Sequence, residues 1–130
     1  MLKNWILIVD DDPAMLTIME EAIAHPSLSI TTANDALQAF IQARDIKPIL
    51  VISDIQMPGY GSGPDALKRL REDPRIPRVP FVFVTGMPLD KAQLLLPPND
   101  PLIRLLSKPI DYKVLRKLVW DYAHIPDLKM

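Results

Sequence analysis

The chain has 130 residues, 48% of them apolar, with 15 basic and 16 acidic side chains for a net charge of −1. That length can bury one core, and the near-neutral balance excludes a disordered polyelectrolyte and a surface dominated by polyanion binding. With no cysteine and only two histidines, His25 and His124, it offers no disulfide scaffold, thiolate nucleophile, or cysteine- or multi-histidine-bound metal. No apolar run approaches the roughly 20 residues that span a bilayer. The run from Trp5 to Val9 is stopped by three acids, so no secretory signal is expected. A cytoplasmic single domain over residues 1–130 is the expectation.

Trp5-Ile6-Leu7-Ile8-Val9 is a continuous apolar, β-branched run, the pattern of a strand buried on both faces. Asp12-Pro13 supplies an N-cap and a first-turn proline, and Met15, Met19, Ala22 and Ile23 recur at helical spacing until His25-Pro26. Leu28 to Thr32 predicts a second strand. Asn34 stands where a cap would start a second helix, with Leu37, Phe40 and Ile41 on its buried stripe. Behind Pro48, the run Ile49 to Ser53 predicts a third strand of the buried type. The glycine-rich stretch Pro58-Gly59-Tyr60-Gly61-Ser62-Gly63 predicts a loop, and Pro64 to about Glu72 a helix with Asp65 near its positive end.

Phe81 to Val84, entered through Pro80, predicts a fourth strand. Leu89 to Leu96 has room for only a short helix, because Pro97-Pro98 ends it. Leu102 to Leu106 predicts a fifth strand, and Asp111 to His124 a last helix with Val114, Leu115, Leu118, Val119 and Tyr122 on one face. The 14 prolines, roughly twice ordinary usage, fall largely at these seams. Strand and helix alternate five times, which predicts a doubly wound α/β fold: a five-stranded parallel sheet, helices on both faces, right-handed crossovers.

Each apolar strand ends abruptly in polar residues. Val9 gives way to Asp10-Asp11, Ser53 to Asp54, Val84 to Thr85, and Leu106 to Ser107-Lys108. In open parallel sheets, ligands bind outside the carboxyl ends of the strands. If the first and third strands are neighbours, Asp10, Asp11 and Asp54 converge there, with Thr85 and Lys108 arriving from the next two strands. Two carboxylates about 4 Å apart repel by roughly 4 kcal/mol at an effective dielectric near 20. Three need protonation, a lysine or a cation to coexist. An all-oxygen set suits a hard ion such as Mg2+, whose remaining positions can take a phosphate oxygen. With the Lys108 ammonium and the Thr85 hydroxyl, these are parts for stabilising a phosphoryl group in transfer, one carboxylate being the nucleophile.

The chain resembles the receiver domain of bacterial two-component response regulators, the CheY-like fold with strand order 2-1-3-4-5, over essentially its whole length. The matching pieces are Ile6-Leu7-Ile8-Val9-Asp10-Asp11, Val51-Ile52-Ser53-Asp54 with Met57-Pro58, Val82-Phe83-Val84-Thr85-Gly86, and Lys108-Pro109. The resemblance implies that Asp54 accepts a phosphoryl group from a phosphohistidine of a sensor histidine kinase or histidine phosphotransfer protein. It implies direct Mg2+ ligation by Asp11, Asp54 and the main-chain carbonyl of Gln56, with Asp10 acting mostly through a bound water. Thr85 and Lys108 would bind the phosphoryl oxygens, Gly86 would leave the phosphoryl group room, and the Lys108-Pro109 bond would be cis. The implied protein has no turnover beyond its own phosphorylation and dephosphorylation. It acts on a downstream protein target or effector domain, as a monomer or a phosphorylation-dependent dimer.

Three features depart from the family pattern. Leu105 stands where an aromatic, three residues before the lysine, usually reports phosphorylation to the output face. The loop after Met57-Pro58 is one residue longer than usual, and Pro97, Pro98 and Pro101 cut the fourth helix short. Retained phosphorylation chemistry with an atypical output is therefore expected. Two alternatives share these residues: a pseudo-receiver that only binds a partner, and a phosphatase of the haloacid-dehalogenase type. The second normally places an acid two residues after the nucleophile, where this chain has Gln56.

The remaining polar and aromatic residues have plainer roles. Asp12 is a helix cap, and His25 and His124 lie at helix ends. Met57 packs under the loop, and Trp120 and Tyr122 belong to the core and the amphipathic surface. Lys113, Arg116 and Lys117 form a solvated face with no interleaved aromatics for nucleic acid. The sequence stops a few residues past the last helix, so a stand-alone regulator or a piece of a longer protein is expected.

Overall fold

The computed structural model describes residues 4–57 and 61–126. In chain order the elements are β1 (Asn4–Val9), α1 (Pro13–Ile23), β2 (Leu28–Ala33), α2 (Ala36–Ile46), β3 (Leu50–Asp54), α3 (Gly63–Glu72), β4 (Phe81–Thr85), α4 (Leu89–Gln93), β5 (Ile103–Ser107) and α5 (Tyr112–Tyr122). The strands form one five-stranded, all-parallel sheet in the order β2-β1-β3-β4-β5. This is the predicted doubly wound architecture. Every residue of β3 and β4 is buried, as continuous apolar runs in a central parallel strand require.

The two faces of the sheet carry separate cores. Ile6, Ile8, Ile52, Val82 and Val84 pack against Met19 and Ile23 of α1 and Leu115 and Val119 of α5. Leu7, Val9, Val51, Phe81 and Phe83 pack on the other side against α2, α3 and Ala92 of α4. Alternate residues of each strand thus serve opposite cores, which follows from the two-residue period of the pleat.

Three local expectations are corrected. The cap of α2 is Asp35, whose carboxylate accepts the Gln38 N–H at 2.8 Å; Asn34 lies one residue earlier and donates its N–H to Gln38 Oε1. The buried face of α2 is Ala36, Ala39 and Ala43, while Leu37 and Ile41 are exposed and Phe40 is half-buried beneath Arg69. Small residues let α2 lie close to the sheet and to α3, so the large apolar side chains are turned outward. Likewise Val114 is exposed, and α5 buries Leu115 and Val119.

Boundaries shift by little. β3 begins at Leu50 rather than Ile49, and α4 is regular only to Gln93, continuing to Leu96 as single turns. α3 starts at Gly63, capped by Ser62 in a reciprocal box with Asp65. The Pro58–Tyr60 part of the predicted loop lies outside the described residues.

Candidate active site at the strand ends

Register builds the site. Val9 is paired with Ser53 across β1 and β3, so the next residues, Asp10 and Asp54, leave the sheet side by side. Asp54 is in turn paired with Val84, and Thr85 with Ser107, so Thr85 and Lys108 each follow one step further along. The Lys108 N–H donates to the Thr85 carbonyl at 2.7 Å, tying the last step to β4.

Three of these ends share a geometry that their side chains impose. Asp10 Oδ1 accepts the Asp12 N–H at 2.9 Å, Asp54 Oδ1 the Gln56 N–H at 3.3 Å, and Thr85 Oγ1 the Met87 N–H at 3.0 Å. Each is a side chain capturing the amide two residues on, which turns the chain out of the strand and fixes the polar group at the rim. Asp12 then caps α1 by accepting the Ala14 N–H, the role read for it in the sequence.

The result is a compact acidic cluster. Asp10, Asp11 and Asp54 each offer a carboxylate oxygen, all within 4.8 Å of one another. Asp10 and Asp54 are buried and Asp11 is exposed, so the cluster is anchored from below and open above. Lys108 Nζ lies 3.2 Å from Asp54 Oδ2 and 3.8 Å from Asp10 Oδ2. One lysine cannot neutralise three acids. Burial, opposed by the Asp12 N–H and reinforced by the charge of Asp54, pushes the Asp10 carboxyl up from 3.8 to about 6.

Asp10 Oδ2 is buried without a hydrogen-bond partner. An orphaned carboxylate oxygen facing two further carboxylates is what a divalent cation would satisfy, and oxygen-only donors match a hard ion. The residues therefore fit Mg2+.

Thr85 is fully buried, Gln56 is exposed, and the Lys108-Pro109 bond is cis. Gly86 is exposed, and a β-carbon built there meets nothing within 4 Å. Met57 is buried against the α2–α3 core. His25 and Trp120 meet edge to face at 5.1 Å, and the Trp120 indole donates to the Ile23 carbonyl, so both ring groups join α1 to α5 away from the acids. The sequence reading did not foresee the amides of Gln56 and Met87; the recurring polar residue at a strand end was the available signal.

An all-parallel sheet in this order, with acids from β1 and β3 beside a threonine and a lysine from β4 and β5, defines a CheY-like receiver fold. The chain belongs to the family described as response regulator receiver domain, whose profile matches residues 6–119. It is similar to the response regulator Rre1 of Synechocystis sp., 34% identical over 117 residues, covering 88% of this chain and 49% of that protein. A 14.6 kDa protein of Leptolyngbya boryana is 30% identical over 121 residues, 91% of this chain and 88% of that one. Several of the curated relatives it matches are longer proteins, of which the chain spans about a third to a half.

Among solved structures, the signal receiver domain of an HD domain-containing protein from Pseudomonas fluorescens has a TM-score of 0.79 at 26% identity, covering 95% of this chain and 89% of that one. The receiver domain of a sensor histidine kinase from Pseudomonas aeruginosa has a TM-score of 0.78 at 22% identity, covering 94% and 98%. That structure was solved with a magnesium ion coordinated in its active-site cleft. Among the described residues, no helix is long and apolar enough to cross a membrane.

Proposed function

We propose that this receiver domain accepts a phosphoryl group on Asp54 from a phosphohistidine of a sensor histidine kinase or histidine phosphotransfer protein. The observation that carries the reading is the position of Asp54: a nearly buried carboxylate within 4.8 Å of two others and 3.2 Å from a lysine. A carboxylate so placed is an oxygen nucleophile with a cation already beside it. In the transfer its oxygen forms a P–O bond as the P–N bond to imidazole breaks, and the imidazole nitrogen regains a proton from water.

Asp10, Asp11, Asp54 and the Gln56 carbonyl would hold Mg2+, which supplies positive charge to the phosphoryl oxygens when bound. The chain's own groups do the rest. The Gln56 N–H fixes the Asp54 carboxylate. Lys108 compensates the charge that moves onto the phosphoryl group. The Thr85 oxygen is occupied by the Met87 N–H, which leaves its hydroxyl proton free to be donated to a phosphoryl oxygen. The domain performs no reaction beyond gaining and losing this group, and signals through contacts with a downstream protein or effector domain. Leu105 in place of an aromatic makes that output atypical.

The test is incubation of wild type and Asp54→Asn with acetyl phosphate, with and without Mg2+, followed by intact mass. One phosphate on wild type, only with Mg2+, and none on the variant is the expected result. Phosphate on the variant overturns the site. No phosphate on either indicates a pseudo-receiver that only binds.

A further inference from the structure

We infer that Gly63 and Ser53 are positioning residues that fix the main chain of the phosphoacceptor Asp54; this rests on the reading of Asp54 given above. Gly63 is the first residue of α3, yet it is packed against the end of β3. A β-carbon built on it would run into the carbonyl oxygen of Asp54, far inside van der Waals contact, and would stand 3.0 Å from Ser53 Oγ and 3.0 Å from Phe83 Cε1. The Gly63 N–H donates to the Ile55 carbonyl at 3.0 Å, so the approach is held by a hydrogen bond. Next to Gly63, on the same side, the fully buried Ser53 hydroxyl donates to the same Asp54 carbonyl at 2.9 Å.

These contacts act together. The Asp54 carbonyl is seated against a helix start that has no side chain and is tied down there by a buried hydroxyl. The Asp54 carboxylate therefore has little freedom to leave the acid cluster. The demand for glycine here comes from space and not from backbone conformation, in contrast to Gly61, whose φ of 103° is itself a glycine conformation. Any side chain at position 63 must push α3 outward or push the Asp54 peptide inward. The second movement takes the nucleophile and a cation ligand off their positions together, and displacements of about 1 Å cost as much as 10²-fold in rate.

The experiment compares wild type, Gly63→Ala and Ser53→Ala. Circular dichroism gives the folded fraction, calorimetry the Mg2+ dissociation constant, and intact mass the rate of phosphorylation by acetyl phosphate at saturating Mg2+. For folded Gly63→Ala the expected result is an Mg2+ constant raised about fivefold and a rate lowered about tenfold or more. Ser53→Ala, which removes the hydroxyl without adding bulk, lowers the rate about two- to threefold. A glycine needed only for folding would lower the melting temperature and leave both quantities at wild-type values per folded molecule, and that result overturns the inference. If Gly63→Ala does not fold, Ser53→Ala decides on the same two measurements. A wild type that takes no phosphate contradicts the proposed function instead, and the Mg2+ constants of the variants still decide the positioning claim.

Discussion

The strand-end pocket and the α4–β5 side lie on neighbouring strands but are built in opposite ways. In the pocket, Asp10, Asp54 and Thr85 are buried, and each is locked by an amide two residues on. On the α4–β5 side, α4 has only five residues, its following turns leave Leu94 85% exposed, and β5 is only partly covered. An open groove of about 520 Å3 runs between Leu96–Asp100 and Ile103–Leu105. Pro97 and Pro98 cannot continue a helix, so the segment returns to the sheet without covering it. The difference teaches that the acid pocket, and the phosphoacceptor chemistry proposed for it, rests on a few fixed strand ends, whereas the covering of the adjacent face can be reduced without disturbing them.

Four variants break or sharpen that contrast. Lys108→Ala should have the largest effect, because it removes the one cation that lies within 4 Å of Asp54 and Asp10 among the described residues. Phosphorylation by acetyl phosphate should fall by about 10²- to 10³-fold, the loss typical of removing one preorganised charge-stabilising group.

Arg71→Ala should damage the other region's frame. Asp100 is nearly buried and accepts from Arg71 at 2.7 Å and from Arg78 at 3.0 Å, joining α3 to the start of β5. Burial opposes its charge, but the Arg71 hydrogen bond, the Leu102 N–H and the two arginine charges hold its carboxyl below 3.8. Removing Arg71 should cost about 3 kcal/mol by urea unfolding, with the initial phosphorylation rate unchanged.

Asp10→Asn should act through pH. The folded protein holds the Asp10 proton up to about pH 6, against 3.8 ordinarily, so it binds more protons than the unfolded chain between those values. Stabilisation from Asp10 is complete below pH 3.8 and is lost as the pH rises through about 6. In EDTA, wild-type stability should therefore fall by on the order of 2 kcal/mol across that window, and Asp10→Asn should flatten the fall. The same variant should bind Mg2+ more weakly.

Leu105→Phe should have the smallest effect. Leu105 borders the open groove, which has room for a larger ring. Stability should change by less than about 1 kcal/mol and the phosphorylation rate by less than about twofold. A large rate change would show that the two regions are coupled after all.

All five strands were legible, and four of them, all but β2, came from apolar runs whose abrupt polar ends marked the site. The convergence of Asp10, Asp11 and Asp54 followed once β1 and β3 were neighbours. The packing of α2 was not legible, because large apolar residues normally mark a buried stripe, and here Ala36, Ala39 and Ala43 take it for close approach. The Arg71–Asp100 pair joins residues 29 apart in sequence, and the contact of Gly63 with Asp54 depends on the path of the intervening loop. Neither leaves a periodic trace. Leu105 was read as a departure from pattern, and its half-buried place beside a shortened α4 gives that departure a structural setting.

Calorimetric titration of Mg2+ into wild type and Asp54→Asn tests the shared acid site most directly. Wild type should take up one ion per chain at millimolar concentration or below, and the variant, having lost one of the three converging carboxylates, should bind at least about tenfold more weakly. Equal binding by both proteins, or no uptake by wild type, would contradict a cation site formed by the ends of β1 and β3.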